Sequence, residues 1–251
     1  MSQKEASPLT GEAGHQIAAV IPAAGSGTRL GAGMSKGLVA LGGRPLLLRA
    51  VSPLLADLTC LVVAAREEEI ETVRRILEGA LTRPLPVAVV PGGKERADSV
   101  RSALEWLAGW EGWRPGVRHL VAIHDAARPF ISRDLWRRLI EAALREGAAV
   151  PGLPVIETIK RVDEEGRVEA TVDRTGLWRV QTPQVFAFEE ILAAHRRAHE
   201  MGLAVTDDAQ VYELTGRPIR VVPGAWENIK ITTGEDLSLA QAILAWRGED
   251  A

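Results

Sequence analysis

The chain has 251 residues, 46% of them hydrophobic, and a formal net charge of -3. That length and apolar content can bury a sizeable core and suit a single α/β domain. Its 30 basic residues are scattered among 33 acidic ones, which excludes a nucleic-acid binder working by bulk positive charge and leaves any anion site local. One cysteine, Cys60, precludes an internal disulfide, and within LTCLVVAA it reads as a buried, inert thiol. Residues 1–16, MSQKEASPLTGEAGHQ, lack the apolar segment of a signal peptide and are expected to form a flexible tail before one domain over 17–251. No stretch approaches the ~20 apolar residues of a membrane span. The expectation is a cytoplasmic protein with neither membrane nor nucleic acid as a partner.

Residues 17–24, IAAVIPAA, predict a buried strand that opens after Pro22 into GSGTRLGAGMSK, ending at Lys36. Glycines let backbone N–H groups approach an anion closely, and Arg29 and Lys36 add fixed positive charge. Between Glu12 and Asp57 there is no acidic residue, whereas Arg29, Lys36, Arg44 and Arg49 all fall inside that window. The loop should attract a polyanion. It is not a P-loop, because G-x-x-x-x-G-K-[ST] does not occur. Nor does it carry the dinucleotide fingerprint: Leu30 stands at the third glycine position, and no acid follows at the distance that would hold a ribose.

Apolar runs of strand length then alternate with helical patterns. Residues 58–65 precede a helix over 67–81, residues 85–90 precede one over 95–107, and residues 119–123 precede one over 132–147. Strands that are apolar throughout are buried on both faces, which points to a parallel sheet covered by helices. The rhythm fails over residues 154–186, where β-branched residues and no helical apolar face predict an extended β-arm that packs on a second subunit. Helices over 187–202 and 206–214, a strand over 218–222 and a helix from about Glu235 complete the chain.

Four further segments concentrate polar residues where strands should end. PGGKERADSV opens a helix, and its glycines and Ser99 suit contact with a base or ribose. HDAARP places Asp125 at the carboxyl edge of a strand, where open α/β sheets bind ligands. Asp125 suits ribose or Mg²⁺; the alternatives are a helix N-cap or a salt bridge with Arg128. TVDRTGLWRVQTPQVF supplies Arg174 and Thr182, and WENIKITT supplies Lys230, although lone bases on loops are usually solvated. His195 and His199 share a helical face without the H-E-x-x-H pattern of a zinc site, and Trp106, Trp110 and Trp113 read as packing.

The strings PAAGSGTRL, GGKERADSV, HDAARP, TVDRTGLW, QTPQVF, TDDA and ENIKIT stand in an order that resembles the cytidylyltransferases acting on 2-C-methyl-D-erythritol 4-phosphate, over residues 17 to about 245. The resemblance implies a Rossmann-like three-layer α/β sandwich of nucleotidyltransferase type, with a mainly parallel sheet and an arm that joins a homodimer. It implies CTP and a sugar-alcohol phosphate as substrates and Mg²⁺, or another divalent cation, as cofactor. Carried over by position, Ala23, Ala24 and Gly25 would approach the nucleotide, Gly93 and Ser99 would hold its cytosine end, and Asp125 would serve ribose and metal. Arg29 and Lys36 match the transition-state stabilisers. Arg174 and Lys230 match the residues that position the methylerythritol phosphate, with Thr158, Thr182, Thr206 and Arg128 nearby, some reaching across the dimer. A ribitol 5-phosphate cytidylyltransferase or a nucleotide-binding module without turnover would share most of these strings. The chain departs from the family's Pro-Lys-Gln pattern at Ser35-Lys36-Gly37, and from Thr-Asp-Glu-Ala-Ser at Thr206-Asp207-Asp208-Ala209-Gln210.

Overall fold

The computed structural model describes residues 14–25 and 34–249, so Arg29 lies outside the described residues. The apolar runs form parallel strands β1 (His15–Pro22), β4 (Cys60–Ala65), β5 (Val87–Pro91) and β6 (Arg118–Ile123), with β1 between β4 and β6 and β5 beyond β4. β7 (Ala148–Pro154) runs in the same direction as β6, because β11 (Gln184–Ala187) is antiparallel to both. β10 (Trp178–Val180) pairs with β7 on the same side as β11, and β12 (Arg220–Pro223) pairs in parallel on the other. The result is an eight-stranded, mainly parallel sheet.

Alternation along β1 shows why the strands are apolar throughout. Ile17, Ala19 and Ile21 face α1 (Leu46–Val51), α2 (Ile70–Ala80) and α4 (Arg133–Glu146), in a core that holds Leu47, Val73, Leu77 and Leu139. Ala18 and Val20 face α3 (Arg96–Ala108), α5 (Phe188–Glu200) and α6 (Asp208–Glu213), in a core that holds Leu104, Ile191 and Tyr212. Helices on both faces leave no solvated side, which fixes the three-layer sandwich. A third, smaller cluster packs α7 (Gly234–Arg247) through Ala240 and Leu244 against Leu41, Leu46 and Phe130.

Local signals set the helix ends. Glu95 and Asp98 form a capping box at the start of α3, and Thr233 and Asp236 do the same for α7. Ser132 accepts from the Leu135 N–H at the start of α4. Cys60 is buried, and desolvation pushes its thiol up to about 12, as an inert core cysteine requires. Trp110 and Trp113 stack edge to face at 5.2 Å beside the second core, whereas Trp106 is partly exposed. No helix among the described residues is long and apolar enough to cross a membrane.

Four differences from the sequence expectation exceed a shift of a residue or two or have a local cause. The first strand begins at His15 rather than 17, because the Gln16 amide is satisfied by the Gly112 carbonyl and the Arg114 N–H. The residues expected to open a helix at Glu67 form a 3-10 turn, Glu67–Glu69, before α2. β2 (Ala40–Leu41) and β3 (Arg44–Pro45) form a small hairpin that the sequence did not announce, turning on Gly42 and Gly43 with φ of 50° and 66°. Within the expected arm, β8 (Ile159–Val162) and β9 (Val168–Val172) form a hairpin apart from the main sheet, whereas β10 and β11, also expected in the arm, join the main sheet. Val185 and Phe186 explain this, since they bury their side chains in opposite cores.

Candidate active site

A cleft of about 600 Å³ opens at the carboxyl ends of the parallel strands. Its walls are Ala23 to Gly25 after β1, Lys36 and Gly37, Gly93 to Arg96 after β5, Asp125 to Ala127 after β6, and Lys230 with Thr232 before α7. Close backbone approach shapes the walls. A Cβ at Gly92 would lie 2.5 Å from the Ala24 Cβ, and one at Gly93 would lie 2.2 Å from the Asp98 Cβ. Only glycine lets this loop fold against both neighbours. The Ser99 hydroxyl accepts from the Gly93 N–H at 3.1 Å and so holds the loop from within. Gly37 is buried, 3.2 Å from the Ala126 Cβ when given a Cβ of its own, which seats the Lys36 turn against the loop after β6.

Asp125 forms the charged floor. Its Oδ1 accepts from Arg96 Nε at 2.9 Å, its Oδ2 lies 2.8 Å from Lys230 Nζ, and Arg128 Nε is 3.8 Å from the same oxygen. Burial alone would raise its pKa, but Arg96, Lys230 and Arg128 outweigh burial and hold the carboxyl well below the usual range. Arg96 also reaches Asp208 Oδ2 at 2.7 Å, and Asp208 Oδ1 lies 3.1 Å from Nε2 of buried His195. The cleft floor is therefore tied to α6 by an ion pair and, through Asp208, to α5 by a hydrogen bond.

A neutral network fixes the backbone beneath it. His124 is fully buried, with Nε2 3.1 Å from the Arg128 carbonyl and Nδ1 2.9 Å from Thr182 Oγ1. A carbonyl only accepts, so Nε2 carries the proton and Nδ1 accepts from the Thr182 hydroxyl. The same hydroxyl accepts from the Asp125 N–H at 3.0 Å. Burial drives the His124 pKa down to about 4, which keeps the ring neutral at pH 7. Asn228 closes the network by donating to the Thr182 carbonyl at 3.0 Å while its own carbonyl accepts from Arg128 at 2.8 Å.

The family model described as 2-C-methyl-D-erythritol 4-phosphate cytidylyltransferase matches residues 17–246. The chain belongs to that family. A cytidylyltransferase of that description from Desulforamulus reducens is 44% identical over 234 residues, covering 92% of this chain and 97% of the relative. One from Saccharopolyspora erythraea is 46% identical over 233 residues, covering 91% and 99%. The crystal structure of the Thermus thermophilus enzyme superposes with a TM-score of 0.72 at 35% identity, covering 92% of this chain and 99% of that one. A 4-diphosphocytidyl-2C-methyl-D-erythritol synthase from Anaerococcus prevotii gives 0.75 at 30% identity, with 92% and 99% covered. The protein is thus a nucleotidyltransferase of isoprenoid synthesis, and its reaction joins CTP to 2-C-methyl-D-erythritol 4-phosphate.

Of the residues that the cytidylyltransferase resemblance singled out, Ala23, Ala24, Gly25, Lys36, Gly93, Ser99, Asp125 and Lys230 all line one cleft. Thr182 is buried, and its hydroxyl is engaged by His124 and Asp125, so it braces the floor instead of facing a ligand. Arg128 braces likewise, through Asp125 and the Asn228 carbonyl. Arg174 and Thr158 are exposed on the segments flanking the β8–β9 hairpin, where Arg174 donates to the Ile156 carbonyl, and neither lines the cleft. Thr206 is exposed and donates to Gln210 Oε1 at 3.1 Å. Sequence reasoning missed Arg96, although it stands inside GGKERADSV, because its partners come from the segment after β6 and from α6. It also missed Glu69, which holds Ser35.

Proposed function

We propose that the cytidylyl transfer in this cleft runs on positioning and electrostatics, with no general base. A phosphate monoester has a second pKa near ~6, so the attacking phosphate oxygen of methylerythritol phosphate is already an anion at neutral pH. It forms a bond to the α-phosphorus of CTP as the bond to the bridging oxygen breaks, and pyrophosphate leaves with that electron pair. The barrier is the approach of two anions and the charge that grows on the α-phosphoryl and leaving oxygens. Lys36 supplies a compact charge and Arg29 a planar fork against that growth. Ala23, Ala24 and Gly25 receive the phosphates, Gly93, held by Ser99, receives the cytosine end, and Asp125 meets the ribose. The observation that carries the reading is the gathering of Lys36, Lys230 and the glycine-lined backbone around one strand-edge cleft.

The donor set suits a hard cation held mainly by substrate. Among the described residues no cluster of three metal-ligating side chains exists, yet Asp125 offers a single carboxylate to the cleft, and Mg²⁺ commonly takes one or two carboxylates plus phosphates. Asp125 would hold it, sharing its oxygens with Arg96 and Lys230. When bound, the cation neutralises phosphate charge.

Lys230 would position the methylerythritol phosphate within its own subunit, while Arg174, Thr158 and Thr206 serve the site of an assembled homodimer. The arm supports this assembly: Ile156, Val162, Val168 and Trp178 are exposed on it or beside it, and an isolated two-stranded hairpin is marginally stable in water. A second copy covers these groups, and a monomer mass in solution at micromolar concentration would sink the dimer. Cytoplasmic residence agrees with the buried, unpaired Cys60. The test of the whole reading is incubation with CTP, Mg²⁺ and either methylerythritol phosphate or ribitol 5-phosphate. Pyrophosphate release with the cytidine diphosphate product is expected with the first; preference for the second would overturn the substrate assignment.

A further inference from the structure

Ser35, one residue before Lys36, is almost fully buried, and both of its donors go to one carboxylate. Its backbone N–H donates to Glu69 Oε1 at 2.9 Å, and its hydroxyl donates to Glu69 Oε2. Glu69 sits in the turn after β4, is itself buried, and has Arg66 Nη1 3.7 Å from Oε1. The grip therefore ties Ser35, at the root of the Lys36 turn, to the turn that follows β4. Ser35 also hinges the turn that presents Lys36, because its carbonyl accepts from the Leu38 N–H at 3.0 Å.

We infer that Glu69 is a positioning residue for Lys36, acting through Ser35; this rests on the assignment of Lys36 to the chemistry. A lysine stem has four rotatable bonds, so the place of its charge depends on how firmly the backbone at its root is held. On one flank the root is held by packing, with Gly37 against Ala126 and Ala23. On the other it is held by the Glu69 grip. Ser35 has φ −61° and ψ 144°, which is the conformation a proline imposes. Two routes thus lead to the same backbone at this position. A proline stiffens it covalently, and in this chain a carboxylate from the neighbouring loop stiffens it through two hydrogen bonds.

Four variants of the full chain test the inference by kcat, KM and thermal melting: Glu69→Ala, Ser35→Pro, the double variant and Lys36→Ala. Misplacing a reacting group by about 1 Å costs up to ~10² in rate, so Glu69→Ala is expected to lower kcat by about 10-fold or more with KM for both substrates within about twofold. Ser35→Pro alone removes both donors and strands the Glu69 carboxylate, so it too lowers kcat. The double variant keeps the backbone conformation and leaves no orphaned group, and its kcat returns to within about threefold of the parent, a coupling that a purely structural loss would not show. Glu69→Ala with unchanged kcat, or a double variant no better than either single one, would overturn the inference while an impaired Lys36→Ala kept the catalytic assignment standing. Near-parent turnover in Lys36→Ala would overturn that assignment and the inference with it. Should Glu69→Ala melt below the assay temperature, the double variant decides: parent-like kcat supports the grip, and kcat as low as that of Lys36→Ala refutes it.

Discussion

Nζ of Lys230 lies 2.8 Å from Oδ2 of Asp125, while Arg96 occupies the other carboxylate oxygen at 2.9 Å. The two cations differ in kind. Arg96 is half-buried and paired again with Asp208, whereas the Lys230 side chain is 41% exposed and, among the described residues, pairs with no second carboxylate. Removing Lys230 leaves Asp125 compensated, so Lys230→Ala should melt within roughly 3 °C of the parent while KM for methylerythritol phosphate rises by about 10-fold or more. Asp125→Ala is expected to behave oppositely, costing about 3–5 kcal/mol in stability because it removes the carboxylate that compensates both half-buried Arg96 and the more enclosed Arg128. An unchanged KM in Lys230→Ala would remove that residue from substrate positioning.

Lys36 and Arg29 are the two residues proposed to meet the charge that develops during transfer. Alanine at either position should lower kcat by about 10² or more, as loss of one stabilising donor does, with the melting temperature little changed. Saturation kinetics at high CTP and high methylerythritol phosphate separate this from a binding defect. Turnover close to the parent in either variant would take that residue out of the chemistry.

Gly92 is set by space, not by backbone angle. Its N–H donates to the Ala65 carbonyl at 2.7 Å, and a Cβ there would meet the Ala24 Cβ at 2.5 Å and Ser99 Oγ at 2.9 Å. Gly92→Ala is expected to displace Ala24 and Ser99, which both line the cleft, raising Kd for CTP by about 10-fold at a stability cost of about 1–3 kcal/mol. Gly234→Ala, at the start of α7 with nothing within 4 Å of the added carbon, is the matched control. Calorimetric titration of CTP into both variants checks the difference, and equal affinities would show that the loop yields elsewhere.

The sheet was legible because its central strands are covered on both faces, so the apolar runs around Val20, Val62 and Val121 carried no competing pattern. The cleft was legible in part, since Gly93, Asp125 and Lys230 each stand in a segment that follows a strand, and Lys36 closes the glycine-rich string. What failed was direction and distance. A threonine in sequence does not say whether its hydroxyl faces a ligand or, as at Thr182, turns inward to His124. Arg96 and Glu69 owe their roles to partners that only the folded chain brings near, Ser35 being 34 residues from Glu69. The sequence places β10 and β11 in the arm because residues 154–186 are rich in β-branched residues and have no helical apolar face; Gln181, Thr182 and Gln184, at or between these strands, are buried by hydrogen bonds and not by apolarity.

His124 makes the floor of the cleft sensitive to acid. Its pKa falls from 6.5 to about 4 in the folded chain, chiefly through burial, so between those values the unfolded chain binds more protons than the folded one. Stability is therefore full above pH 6.5 and declines as pH drops towards 4, by up to roughly 3 kcal/mol. A proton on Nδ1 would also remove the acceptor for the Thr182 hydroxyl and loosen the Asp125 backbone that this hydroxyl holds. Asp125 and Asp208 act in a separate window: held below their ordinary 3.8, they withdraw their stabilisation only as pH falls beneath that value. His15, also lowered by burial, adds to the His124 slope in the same direction. His124→Gln should consequently flatten, without abolishing, the loss of unfolding free energy between pH 6.5 and 4. Denaturant titrations of parent and variant across that range give the two slopes, and parallel curves would mean that His124 titrates alike in the folded and unfolded chains.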